Sequence, residues 1–274
     1  MKLKLLIPFL LLAACTSEQT PSESLTAEDY LTQMTEIMIQ GMVHMEFSSH
    51  TDLSKLLPTD AVPAGTTPSM RMKGKMTFGR REGTYQEWSG TLEMQTEMPS
   101  VGETTTFMRM VADLKTVWLD QLVQPLDKRQ VMKFSWKTME AMGNEMKSMS
   151  MQSLNPAEQI QSLSKFMDFE ITETSGNHVT LSATIEAEKF SKAMGQPMPP
   201  GMEAMTVEIH LDKSSGLPTR MLTSTAKGVF MTMEFHKIEK LTTVDPALFV
   251  YTPPSDVPVV DMDKVYADRD HHHE

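Results

Sequence analysis

The sequence predicts a mainly β protein with helices, an α+β fold built on one wide, curved antiparallel sheet. Three observations point there. Apolar and polar residues alternate with period two over about ten or eleven separate stretches. Short, turn-rich connections join most of them, so sequence neighbours should pair antiparallel with one wet face. Stretches near the start and in the middle switch to helical spacing and each carry an apolar stripe. A sheet of that width curls. Its apolar concave face needs a cover, which the helices supply as a lid.

Taken in order, Thr16 to Thr26 is polar and reads as a tether. A helix is expected to start near Thr26, with Glu28 and Asp29 in its first turn, where acids suit the dipole. Leu31, Met34, Ile37, Met38 and Met42 share its apolar face, and Gly41 is a plausible stop. Val43, Met45 and Phe47 then alternate with His44, Glu46 and Ser48 as a strand, and Asp52 to Ser69 reads as a loop. Met70, Met72, Met76 and Phe78 alternate with Arg71, Lys73, Lys75 and Thr77, and Gly79 to Gly83 turns the chain. Trp88, Leu92, Met94 and Met98 continue the even-numbered apolar face. Further strands are predicted over residues 105–112, 116–122 and 130–136.

The middle of the chain is predicted helical. Met139, Met142, Met146 and Met149 form a single stripe, and Asn155-Pro156 opens a second helix. Strands resume over residues 169–174 and 178–187, followed by a short helical or irregular segment from Glu188 to Gly201. Met205, Val207, Ile209 and Leu211 alternate, and two last strands follow, the final one with Met231, Met233 and Phe235 on one face. The predicted concave wall is therefore Met72, Met76, Phe78, Trp88, Leu92, Met94, Met231, Met233 and Phe235, and the predicted lid is the stripe from Met139 to Met149.

Composition narrows the function. The formal charge is −11, which disfavours nucleic acid or an anionic surface as an electrostatic partner. There are 27 methionines. They can be core filler, a pliable surface for variable apolar ligands, or soft ligands for Cu(I). The spacings Met38-x3-Met42-x2-Met45 and Met142-x3-Met146-x2-Met149-x-Met151 suit the last reading. No Gly-x-Ser-x-Gly elbow, His-Glu-x-x-His or phosphate loop is present, so neither an enzyme nor a cofactor is expected. His44, His50, His178, His210 and His236 are scattered and should mostly face water.

Cys15 is the sole cysteine. Lys2 and Lys4, the run Leu5 to Leu12 and Ala13-Ala14 precede it, giving a basic region, a short apolar region and a small-residue cleavage site. The segment Leu12-Ala13-Ala14-Cys15 resembles a bacterial lipoprotein signal. The resemblance implies cleavage before Cys15 and a diacylglyceryl thioether on it. Two or three acyl chains anchor stably where one is marginal. The expected organisation is then a signal peptide over 1–14, a lipidated tether over 15–26, a folded domain over 27–261 and an acidic, His-containing tail over 262–274. Thr16 is not the Asp that commonly retains lipoproteins at the inner membrane. In a host with two membranes the implied location is the outer one, facing the periplasm.

The end of the chain adds a second resemblance. Val244-Asp245-Pro246-Ala247-Leu248-Phe249, with Pro253-Pro254 and Val257-Pro258-Val259-Val260-Asp261 beyond it, resembles the closing segment of the outer-membrane lipoprotein carrier family, called LolA-like. The turn Asp212 to Pro218 resembles a hairpin of the wider LolA, LolB and LppX superfamily, and Asp113 to Leu119 resembles its central hairpin. The resemblance implies an unclosed half-barrel whose concave face and helical lid enclose acyl chains. In the soluble carrier an early-strand arginine holds the lid, and Arg71 is only a loose positional candidate for it here. The expectation is a membrane-anchored envelope lipoprotein that binds lipid or another apolar ligand, with a protein partner in the envelope as a further expectation. The alternatives are a structural or signalling lipoprotein with a filled core, and Cu(I) binding.

Overall fold

The computed structural model describes residues 25–39, 41–56, 68–80, 88–98, 104–113, 115–138, 167–194 and 203–270. Its centre is one twelve-stranded sheet, ordered β12-β6-β5-β4-β3-β2-β1-β11-β10-β9-β8-β7. The strands are β1 (Met42–Asp52), β2 (Ser69–Arg80), β3 (Trp88–Met98), β4 (Thr104–Ala112), β5 (Thr116–Gln124), β6 (Lys128–Ser135), β7 (Glu170–Ser175), β8 (His178–Glu186), β9 (Ala204–Asp212), β10 (Leu217–Thr225), β11 (Gly228–Leu241) and β12 (Val259–Asp261). Two meanders, β1 to β6 and β7 to β11, meet where β1 pairs with β11. The first and last strands in the order, β12 and β7, are not paired with each other, so the sheet is unclosed. Every pair is antiparallel except β12 with β6, which is parallel.

Helix α1 (Ala27–Ile39) starts where the sequence places it. Thr26 is its cap: the Thr26 N–H and Oγ1 each donate to Asp29 Oδ2 at 2.7 Å, and the Asp29 N–H donates back to Thr26 Oγ1 at 3.2 Å. This is a capping box with Asp in place of Glu, and those hydrogen bonds hold the Asp29 carboxyl below the usual carboxylate range. Leu31, Met34 and Met38 are buried and Ile37 half-buried, as the stripe requires. Met42 departs from the expectation. Gly41, at φ +97°, ends the helical run, and Met42 becomes the first residue of β1.

The register on β2 is the predicted one. Arg71, Lys73 and Lys75 are exposed, while Met70, Met72 and Met76 are half-buried and Phe78 is buried. Directly opposed residues in an antiparallel pair share a face. Phe47–Gly74–Met94–Met108–Gln121 and Met45–Met76–Leu92–Met110–Leu119–Met132 are therefore continuous rows on one apolar face. On β3 the facing alternates but burial does not, since residues 91–98 are all half-buried.

One cluster is built where α1 lays Leu31, Met34 and Met38 on Val43, Met45, Phe47 and Phe78 and on the inward residues of β8 and β9. A second, smaller cluster joins Met110, Ala112, Val117 and Phe134, with Met262 packed against it. Helix α2 (Ala187–Met194) follows β8, within the span read as helical or irregular. Residues 262–274, set apart as a tail on sequence, begin with helix α3 (Met262–Asp270). Asp263 ties it down, accepting from the Ser135 N–H at 2.9 Å and Ser135 Oγ at 3.0 Å. Among the described residues, no helix is long and apolar enough to cross a membrane.

Candidate functional site

The expected site residues separate into three groups. Met76, Phe78, Leu92 and Phe235 are on the apolar face, but they pack into or against the cluster that α1 covers, and Met72 joins its margin. Met94, Met231 and Met233 share that face, are half-buried and belong to neither cluster. Trp88 begins β3, with its side chain outside the described residues. Met139, Met142, Met146 and Met149, and Cys15, also lie outside them.

The pairings add to Met94, Met231 and Met233 the residue Met108, which the sequence reading did not single out, and Met70 and Met98, which it put on the apolar face but not in the concave wall. Met70 opposes Thr51, and Met98 opposes Thr104. Met108 opposes Met94. Met231 opposes Thr51 across β1, and Met233 opposes Ser49. Met70, Met94, Met98, Met108, Met231 and Met233 thus form one patch at the end of the strands away from the α1 cluster. Their signal was the same period of two, which continues through Met108 and Met110 on β4.

The hollows of the described residues open on the other face. One of about 910 Å³ is walled by Glu46, Ser48, Lys73, Lys75, Glu93, Gln95, Phe107, Arg109, Asp120, Leu122, Arg129 and His236. These are the polar-face neighbours of the Phe47–Gly74–Met94–Met108 row, whose strand backbone makes the floor. A second of about 430 Å³ adjoins it, sharing Ser48 and Lys73. Alternation aims long polar side chains to this side, where they wall these two hollows; the expected cavity beneath the lid stripe of Met139, Met142, Met146 and Met149 involves residues outside those described.

Much of the polar-face charge is paired. Lys75 Nζ lies 2.8 Å from Glu93 Oε2, and Arg109 Nε lies 3.6 Å from Glu93 Oε1. Arg129 binds Asp120 in bidentate fashion, Nε to Oδ1 at 2.9 Å and a terminal nitrogen to Oδ2 at 2.6 Å. Tyr251 Oη donates to the same Asp120 Oδ2 at 2.8 Å. The Arg129 hydrogen bond, opposed by burial and helped by Tyr251, holds the Asp120 carboxyl below the usual carboxylate range. Burial, then the bond to Asp120, pushes the Tyr251 hydroxyl up to about 12. The Tyr251 ring lies 5.4 Å from that of Trp118, with the Arg109 guanidinium 5.8 Å from its centre.

Tyr251 belongs to the closing segment that carries the second resemblance. Asp245 caps a 3₁₀ turn over Pro246–Phe249, with buried Phe249, and the chain then crosses the polar face without a ladder until β12. The 3₁₀ turn lies against β3 and β4, and Val111 and Val131 are buried although they belong to the polar face.

The geometry offers no convergent metal site. Among the described residues no group of three or more His, Cys, Asp or Glu side chains converges. In the first proposed copper triplet, Met42 and Met45 are an odd number of residues apart on one strand and project to opposite faces. The second group, Met142, Met146, Met149 and Met151, lies outside the described residues.

No family model matches the sequence, and no curated protein matches it. Several solved structures are similar in shape at low identity. The MucB chain of the Pseudomonas aeruginosa MucA/MucB complex is 11% identical with a TM-score of 0.36, over 82% of this chain and 60% of that one. A DUF1329 family protein from Desulfovibrio piger gives a TM-score of 0.31 at 10% identity, over 81% of this chain and 95% of that one. An outer membrane lipoprotein-sorting protein domain from Vibrio parahaemolyticus gives 0.28 at 10% identity, over 80% and 94%. The chain spans 60% of the length of that MucB chain.

Proposed function

We propose that this protein is a lipid-anchored cell-envelope lipoprotein that holds an acyl chain or comparable apolar ligand against its methionine-lined sheet face. The carrying observation is the patch of Met70, Met94, Met98, Met108, Met231 and Met233, half-buried on the apolar face and outside both core clusters. Methionine is unbranched and polarisable, so such a patch adapts to chains of differing length and unsaturation. Anchoring through Cys15 keeps the domain near the membrane that supplies such ligands.

Native mass spectrometry of protein purified from its own membrane tests the reading. Wild type should carry a co-purifying lipid beyond the mass of its anchor. Met94→Glu should lose it, because a carboxylate set against an apolar ligand must be desolvated at a cost of several kcal/mol. Its melting temperature should change little, since Met94 is half-buried outside the core. A wild type free of lipid would favour the filled-core alternative, which the packing of α1 onto the other part of the apolar face supports.

A further inference from the structure

The smaller hollow on the polar face is walled by His50, Arg71, Lys73 and Glu234 with the hydroxyl residues Ser48 and Thr232, over a floor of Ser49 and Met72, whose side chains alternate to the apolar face. His50 opposes Arg71, and Ser48 opposes Lys73, across β1 and β2. Thr232 opposes His50 and Glu234 opposes Ser48 across β11. The neighbouring charges are organised differently. Lys75 and Arg109 share Glu93, and Arg129 holds Asp120. Arg71 opposes Glu97 on β3, yet Glu97 Oε1 accepts from Gln95 Nε2 at 2.9 Å and makes no ion pair with Arg71. Among the described residues, neither Arg71 nor Lys73 has a carboxylate within 4.0 Å. Two exposed cations thus stand side by side over a hollow of about 430 Å³, with Glu234 as its only acidic lining residue.

We propose that this hollow binds a phosphate group, carried either by a soluble anion or by a lipid headgroup. The guanidinium of Arg71 offers a planar fork and the ammonium of Lys73 a point charge, a combination suited to phosphate oxygens. Thr232 and His50 add further donors around the same space, and Ser48 Oγ is bonded to His236 Nε2 at 2.7 Å. A chain of charge −11 repels anions overall, so two unpaired cations with little acid beside them make a local exception that selects where an anion lands. The hollow opens away from the methionine patch, so the proposal stands independently of acyl binding.

The test uses the full mature protein in detergent micelles. Inorganic phosphate is titrated by calorimetry, with the His50 ring signals followed by NMR. In a second arm, phosphatidylcholine vesicles with and without phosphatidic acid replace phosphate. Saturable binding in either arm is expected, and the arm that saturates identifies the source. Arg71→Gln/Lys73→Gln should weaken it by about tenfold or more, with an unchanged melting temperature because both side chains are exposed. Lys128→Gln, at the start of β6 in the row of Met72 on the opposite face, should bind as wild type does. Absence of saturable binding in both arms overturns the proposal, as does equal binding by the double variant or an equal loss in Lys128→Gln.

Discussion

Tyr251→Phe removes a single oxygen and isolates the tie between the closing segment and the sheet. The lost bond joins Tyr251 Oη to Asp120 Oδ2 at 2.8 Å. A hydrogen bond to a charged group contributes about 1.5–3 kcal/mol. Arg129 remains on Asp120 and is 40% exposed, so solvent screening discounts the loss to about 1–2 kcal/mol. The ring contact with Trp118 survives the change. For a chain of this size the loss corresponds to a melting temperature lower by about 2–8 °C. Urea unfolding at neutral pH, with amide exchange over residues 246–252, measures it, and those amides should exchange faster in the variant.

The pH dependence of the same pair supplies an internal check. The Tyr251 hydroxyl is raised to about 12 in the folded state, against about 10 when unfolded. Its contribution is therefore complete below about pH 10 and lost as pH rises towards 12. The gap between wild type and Tyr251→Phe should close over that interval. Asp120 has the opposite sign: its carboxyl is depressed, first by Arg129. Its contribution is present above the unfolded carboxylate range and lost as pH falls through the folded value. Coincident urea midpoints at neutral pH, or a gap that persists unchanged to pH 12, would refute the tie.

Three further outcomes are expected. Gly74→Ala should destabilise by about 1–3 kcal/mol in denaturant unfolding, because its Cβ would sit 2.5 Å from Phe47 Cζ. Phe47→Leu in the same chain should recover part of that loss, and strict additivity of the two changes would disprove the clash. Met34→Ala, at a side chain with 0% exposure in the main cluster, should cost about 2–5 kcal/mol, whereas Met108→Ala on the half-buried patch should cost less. Cys15→Ala should abolish labelling by an alkyne fatty acid and leave uncleaved precursor, and retained label would contradict lipidation at Cys15.

The strands were legible because alternation is a local signal: Arg71, Lys73 and Lys75 point away from Met70, Met72 and Met76 as their order requires. Burial was less legible than facing. Residues 91–98 alternate in direction, yet Met94 and Met98 lie beyond both clusters and stay half-open. The boundary at Gly41 was visible, but Met42 fits helical and strand spacing equally and was read with the wrong element. Helix α3 has no apolar stripe to announce it and is held by Asp263 on Ser135, a contact with no local signature. The same holds for Tyr251 on Asp120. The hollows were missed because they depend on side-chain length across five or more strands, which no single-strand pattern carries.

The pairing of β1 with β11 sets Met42 against Leu241, the longest excursion in the sheet. During synthesis the first meander emerges well before its partner strand exists. Until then β1 is a bare edge bearing Val43, Met45 and Phe47, one of the most aggregation-prone arrangements a chain can present. Loop-closure entropy also makes this seam slow to form. A second copy close by offers the same β11. Strand exchange between copies is thus the characteristic misfolding route of this topology, and a high local concentration of the chain, rather than heat, is the condition that should provoke it.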